Sequence, residues 1–119
     1  MIVVDEVYDA FLDGYRKGVA RLIAGDPFDP KTTLAPLSSQ GAADEVKEKI
    51  RQAVAHGATA TEVGPKVPEQ GAFVQPTILT NVTPDNPAYR QEFFGPVSMI
   101  WRAKDEADAV RIANDSPYG

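Results

Sequence analysis

Gln91-Glu92-Phe93-Phe94-Gly95-Pro96-Val97 sets one acid and two aromatic rings directly ahead of a Gly-Pro turn. The run Val97 to Arg102, which holds the only tryptophan, then reads as a buried strand. Side chains two apart share one side of an extended chain, so Glu92 and Phe94 are expected together at a strand mouth. In α/β sheets such mouths border ligand crevices when they lie at the carboxyl edge or on an adjoining loop. A carboxylate there accepts two charge-strengthened hydrogen bonds from a ribose diol, and a ring packs on a flat heterocycle. The competing reading is structural, with Phe93 and Phe94 in the core and Glu92 in solvent.

The elements on either side of this segment set the fold class. Upstream, Met1 to Val4 is short, apolar and β-branched and predicts a strand, with Asp5 as N-cap of a helix carrying Val7, Phe11, Tyr15, Val19, Leu22 and Ile23 on one face. Gly25 and Pro27 stop that helix, and Gly14 and Gly18, four apart, leave room for a neighbouring backbone. Asp26 to Ser39 carries three prolines and no period, so it reads as an ordered loop of a length that is often functional. A second helix is predicted from Ala42 to His56, with Ala43, Val46, Ile50, Ala53 and Val54 as its stripe, Glu45 and Lys49 paired, and Gly57 closing it. Ala58 to Val63 and Phe73 to Leu79 are strand candidates. Pro76 marks the second of these as an edge strand, a bulge or two pieces. Asp105 caps a last helix that ends near Asn114, ahead of Ser116-Pro117. The alternation points to an α/β fold, a three-layer-like open mixed or parallel sheet flanked by helices.

Composition removes several function classes. The 119 residues suffice for one domain, and 43% hydrophobic with 24% charged content is ordinary for a folded chain. With 12 Lys and Arg against 17 Asp and Glu, the net charge of -5 has the wrong sign for nucleic acid or an anionic membrane. Cysteine is absent and His56 is the single histidine, which removes disulfides, thiolate ligands, a cysteine nucleophile and any His cluster. No apolar run approaches the roughly 20 residues of a membrane span, and the start lacks a basic leader region. Cytoplasmic placement, with no membrane and no nucleic-acid partner, is the expectation. No metal site is assigned.

Other polar residues read as structural. His56 ends a helix, where a cation suits the dipole. Asp44, Glu45 and Glu48 form a solvated face, and Asp5, Glu6 and Asp9 fall in first turns where acids are common. Neither G-x-x-x-x-G-K-[ST] nor G-x-G-x-x-G occurs. No residue is assigned a catalytic role.

Glu92-Phe93-Phe94-Gly95-Pro96 resembles the E-x-F-G-P motif of the aldehyde dehydrogenase superfamily. Further matches lie in the family's order: MIVVDEVYDAFLDGY resembles the strand and helix after its nucleophile, TLAPLSS its Pro-Leu loop, GAFVQPTIL its F-x-x-P-T-[IV]-L stretch and ANDSPYG its A-N-x-x-x-Y-G-L segment. The wording of APLSSQGAADEV, QPTILTNV and DNPAYRQEFFGPV is most similar to the succinate-semialdehyde dehydrogenase branch. The resemblance implies that Glu92 hydrogen-bonds the nicotinamide-side ribose and that Phe94 packs near the nicotinamide. Phe93 and Ala35 depart from the family's more usual aliphatic residue and glycine without touching those roles. It further implies that the catalytic cysteine lies just ahead of Met1, with the general base and the dinucleotide-binding domain further upstream.

Residues 1–119 are accordingly expected to be a fragment of an aldehyde dehydrogenase catalytic domain, lacking the cysteine and the dinucleotide-binding domain. The start inside a strand and the stop on a glycine after Ser-Pro-Tyr prompt the same expectation. The complete enzyme is expected to use NAD or NADP to oxidise an aldehyde to its acid. The isolated chain is expected to be inactive, to bind no cofactor, and to self-associate through surface left exposed. A stand-alone scaffold or interaction module of the same fold is the alternative.

Overall fold

The computed structural model describes residues 1–118. In chain order the elements are β1 (Ile2–Val4), α1 (Asp5–Val19), α2 (Gln40–Ala55), β2 (Thr59–Glu62), β3 (Thr77–Thr80), a 3-10 turn (Pro87–Arg90), β4 (Val97–Met99), β5 (Trp101–Ala103) and α3 (Glu106–Asn114). Strand β3 is central, antiparallel to β2 and parallel to β4, while β5 pairs in parallel with β1. The run expected as one strand is therefore two. At Ile100 it changes neighbours: the Ile100 amide still donates to Leu79 O at 2.9 Å, and the Trp101 amide donates to Met1 O at 2.9 Å. The strands thus form two sheets, a parallel pair β1-β5 and a mixed β2-β3-β4, and because β4 runs on into β5, strands β1, β3, β4 and β5 share a direction that β2 alone opposes, in keeping with the mixed or parallel arrangement expected.

Strand alternation divides the core between two helical layers. Val3, Ile78 and Ile100 pack with Tyr8, Leu12, Tyr15 and Val19 of α1 on one face. Leu79, Val97, Met99 and Trp101 turn to the other face, where Ile50 and Ala53 of α2 meet them. A bond of 2.6 Å between Tyr15 Oη and Ser98 Oγ pins α1 to β4. Helix α3 lies against β1 and β5.

Helix α2 begins two residues earlier than expected, because the Ser39 side chain caps it by accepting from the Ala42 amide at 3.1 Å. It ends as expected at Gly57, whose φ of +98° only glycine adopts without strain. The Gly57 amide donates to Val54 O and the Ala58 amide to Ala53 O, the double bond pattern of a Schellman end. Asp105 caps α3 through the Asp108 amide, also as expected.

Five expectations are corrected. Asp5 is the first helical residue rather than the cap; its carboxylate pairs with Arg102. Helix α1 stops at Val19: the Arg21 and Leu22 amides turn back to Gly18 O and Val19 O three residues behind them, and the Ile23 amide donates to Thr33 Oγ1 instead of Val19 O. Its buried stripe also runs through Tyr8 and Leu12, leaving Val7 and Phe11 exposed, and Val54 of α2 is exposed as well. A side-chain carbon at Gly14 or Gly18 would meet nothing within 4 Å, so no backbone approaches there. Finally, β3 is a central strand despite Pro76. The proline sits one residue ahead of the ladder, where its missing donor costs nothing and its carbonyl accepts from the Val63 amide at 2.9 Å.

Candidate functional site

The segment that carries Glu92 and Phe94 leads from β3 into β4. It lies at the amino edge of the parallel strands, not the carboxyl edge that open α/β sheets favour for ligands, so the mouth expected from sequence is present at the opposite end. Chain entering β1 through Met1 arrives at this same edge.

Long-range bonds hold the segment. Asn86, 3% exposed, donates through Nδ2 to Ala53 O at 2.8 Å and His56 O at 3.2 Å, and its Oδ1 accepts from the Ala88 amide. It thus ties the C-terminal end of α2 to this segment while capping the 3-10 turn, which Pro87 opens. From that turn Arg90 reaches α3, donating to Asp115 O at 2.8 Å and Asp115 Oδ1 at 2.9 Å. Tyr118 Oη returns a bond to Arg90 O at 3.3 Å. Lys49 of α2 donates to the Glu92 carbonyl at 3.3 Å and pairs with Glu45 at 2.7 Å. A side-chain carbon on Gly95 would stand 3.3 Å from both Val46 methyls, so the bend closes against α2 only with glycine or some movement of Val46.

Phe93 points inward, packing with the clusters around Ala53 and Val46. The residues flanking it point out. Phe94 is 78% exposed, and Glu92 is exposed with a carboxylate that makes no hydrogen bond or ion pair among the described residues. Of the three residues weighed from sequence, then, one is core and two are surface. Glu92 is among the residues lining an open groove of about 410 Å³, with Ile2, Met99, Trp101 and Ile112; Phe94 is not.

The groove's rim is charged and tuned. The Arg90 guanidinium, with a smaller part from Tyr89, holds the Asp115 carboxyl below its usual range. Burial pushes the Tyr89 phenol up, and neighbouring Asp115 adds to this. Arg90 also lies over the Tyr89 ring, 5.6 Å from its centroid, and Tyr89 meets Trp101 edge-on at 5.9 Å.

The residues read as structural behave so. His56 Nδ1 lies 2.8 Å from Gln52 O at the end of α2, and Asp44, Glu45 and Glu48 are exposed. Asp5 and Asp9 share Arg102, whose guanidinium also covers the Tyr8 ring at 4.1 Å. Asn86, Arg90 and the reach of Lys49 to Glu92 escaped the sequence reading. Asn86-Pro87 carries a usable signal, a capping residue before proline, whereas Arg90 and Lys49 find partners 25 and 43 residues away that no local pattern announces. No helix among the described residues is long and apolar enough to cross a membrane.

The family model for the aldehyde dehydrogenase family matches residues 1–119. The chain belongs to the aldehyde dehydrogenase family. It is 45% identical over 119 residues to the succinate-semialdehyde dehydrogenase [NADP(+)] of Deinococcus radiodurans, covering 100% of this chain and 25% of that protein. Identity to the enzyme of the same description from Mycolicibacterium paratuberculosis is 39% over 118 residues, covering 99% of this chain and 25% of the relative. Among solved structures, the succinic semialdehyde dehydrogenase of Streptococcus pyogenes, determined in complex with NADP+, superposes with a TM-score of 0.93 at 46% identity, over 99% of this chain and 26% of that one. The chain thus spans about a quarter of the length of the curated relatives it matches. Of the motifs that carry the family resemblance, Gly119 of ANDSPYG lies outside the described residues.

Proposed function

We propose that this chain forms part of the catalytic domain of an NADP-dependent aldehyde dehydrogenase that oxidises succinate semialdehyde to succinate. Within that enzyme, Glu92 and Phe94 orient the nicotinamide end of the cofactor. The observation that carries the reading is the outward placement of both residues at the sheet edge where chain enters β1. The Met1 amino group donates to Met99 O at 2.6 Å. Residues upstream of Met1 in a longer protein, continuing in that register, pass beside β4 toward Gly95. A cysteine nucleophile on that approach comes close to Glu92 and Phe94 without contribution from any other part of this chain.

The two side chains fit the dinucleotide. Glu92 offers a carboxylate with both oxygens free for a ribose diol, and Phe94 offers an open ring for a planar heterocycle. Bound NADP supplies the hydride acceptor. The chain's own contribution is orientation, a proximity effect rather than a proton transfer. NADP is preferred over NAD because the relatives described above are NADP(+) enzymes. Without a cysteine the 119 residues alone have no thiolate with which to attack an aldehyde, and they are proposed to be inactive in isolation.

Exposed Phe28, Phe94, Val110 and Ile23 support a further part of the reading, that the isolated chain self-associates through faces which the rest of the enzyme covers. The test is expression of the gene with its flanking sequence and measurement of NADP+ reduction driven by succinate semialdehyde. Activity in the longer product and none in residues 1–119 is the expected pair of results. Activity in the short chain overturns the assignment of the nucleophile upstream, and absence of activity in the long one overturns the enzyme reading in favour of a scaffold.

A further inference from the structure

We propose that Lys49 is a positioning residue for the cofactor site, setting the peptide between Glu92 and Phe93 so that Glu92 and Phe94 face outward together. This rests on the reading that Glu92 and Phe94 contact the dinucleotide. Among the tethers of the segment, Lys49 alone bonds Glu92 itself, and it does so at the backbone. Its position on α2 explains how. Val46 and Ile50, on the same helical face, pack beneath Phe93, and Lys49 stands one turn along from Glu45, which fixes its ammonium at 2.7 Å. Its side chain is only 23% exposed, against 75% for Lys17 and 81% for Lys66.

The consequence is geometric. Phe93 must point into the core while its two neighbours point out, and the orientation of the 92–93 peptide decides whether that alternation is kept. A cation on the Glu92 carbonyl restrains ψ of Glu92 and φ of Phe93, the torsions whose uncompensated drift would carry the Glu92 carboxylate out of line with Phe94. Lys49 touches neither substrate nor cofactor in this scheme; it acts through the segment.

The experiment uses the complete dehydrogenase and compares Lys49→Met, Lys49→Arg, Glu92→Gln and the Lys49→Met/Glu92→Gln double variant. Lys49→Met is expected to raise the KM for NADP+ about tenfold, the scale of one charge-assisted hydrogen bond, and to leave the KM for the aldehyde within about twofold. Lys49→Arg, which still reaches the carbonyl, restores most of the loss. In the Glu92→Gln background, Lys49→Met adds little, because both changes act on one contact. Amide hydrogen exchange should quicken across residues 91–95 in Lys49→Met and not in α1.

If Glu92→Gln weakens NADP+ binding while Lys49→Met leaves both KM and exchange unchanged, the positioning role is wrong and the site reading stands. Full additivity in the double variant also overturns it. If Glu92→Gln has no effect on NADP+, the site reading fails and the role of Lys49 fails with it.

Discussion

Two irregular segments of similar length, Asp26 to Ser39 and Thr83 to Pro96, solve the same problem in opposite ways. The first, as far as Leu34, is satisfied locally, and only near its end does the Leu37 amide reach out, to Ala72 O at 2.8 Å. Asp26 and Asp29 each accept from the backbone amide two residues on, at 2.9 Å, and the segment returns to Ile23 through Thr33 and Leu34. The apex this builds presents Phe28, 93% exposed, to nothing in the described chain. The second segment is tied to α2 and α3 through Asn86, Lys49 and Arg90, buries Ala88, and packs Tyr89 and Phe93 against the core. Its two exposed side chains of interest are held on a frame that cannot shift without disturbing two helices. Loop length alone drew attention to the first segment. What separates a surface crossing from a segment able to place a ligand is where its polar groups find partners.

The largest expected difference between them is in stability. Asn86→Ala removes the bonds to Ala53 O and His56 O and the cap on Ala88, leaving the His56 carbonyl and the Ala88 amide without those partners, while Ala53 O keeps the Ala58 amide. Urea unfolding should show a loss of about 2–3 kcal/mol. Asp29→Ala in the first segment removes one exposed turn bond, for which about 0.5 kcal/mol is expected in the same assay. Equal losses at the two positions would erase the contrast.

A second test uses pH. The depressed pKa of Asp115 means that its pairing with Arg90 stabilises the fold above the ordinary aspartate range and is lost as pH falls through the depressed value, below about pH 4. Amide exchange at residues 87–91 and 111–115 should rise together on acidification in this window, and Arg90→Gln should raise both at neutral pH. Asp26 to Ser39 has no such tether, and its exchange should not follow Arg90→Gln. A smaller effect separates the helices from both segments: Gly14→Ala has open space around the new methyl and should raise thermal stability, by about 0.5–1 kcal/mol.

The elements were legible in sequence wherever a local rule governs them. The Glu45–Lys49 pair, the Gly57 stop and the Asp105 cap are short-range events, and each occurs. Boundaries failed where a distant partner decides. The period of α1 continues to Ile23, yet Thr33, ten residues on, claims the Ile23 amide that the helix would need. Val97 to Arg102 is one apolar run, and only the presence of β3 and β1 as successive neighbours divides it at Ile100. Pro76 argued for an edge and instead precedes a central strand by one residue. At the site, the family motif picked out Glu92 and Phe94, and the structure places both at the surface. The residues that hold them were invisible, since Lys49 and Arg90 read as ordinary surface charges until the fold brings Glu92 and Asp115 to them.

Glu92 itself is the point at which the whole reading is most exposed. In the complete dehydrogenase, Glu92→Gln keeps the size of the side chain and removes the charge that a ribose diol needs. The expected result is a rise of about tenfold in the KM for NADP+ with an unchanged thermal midpoint; NADP+ kinetics identical to the parent enzyme would contradict it.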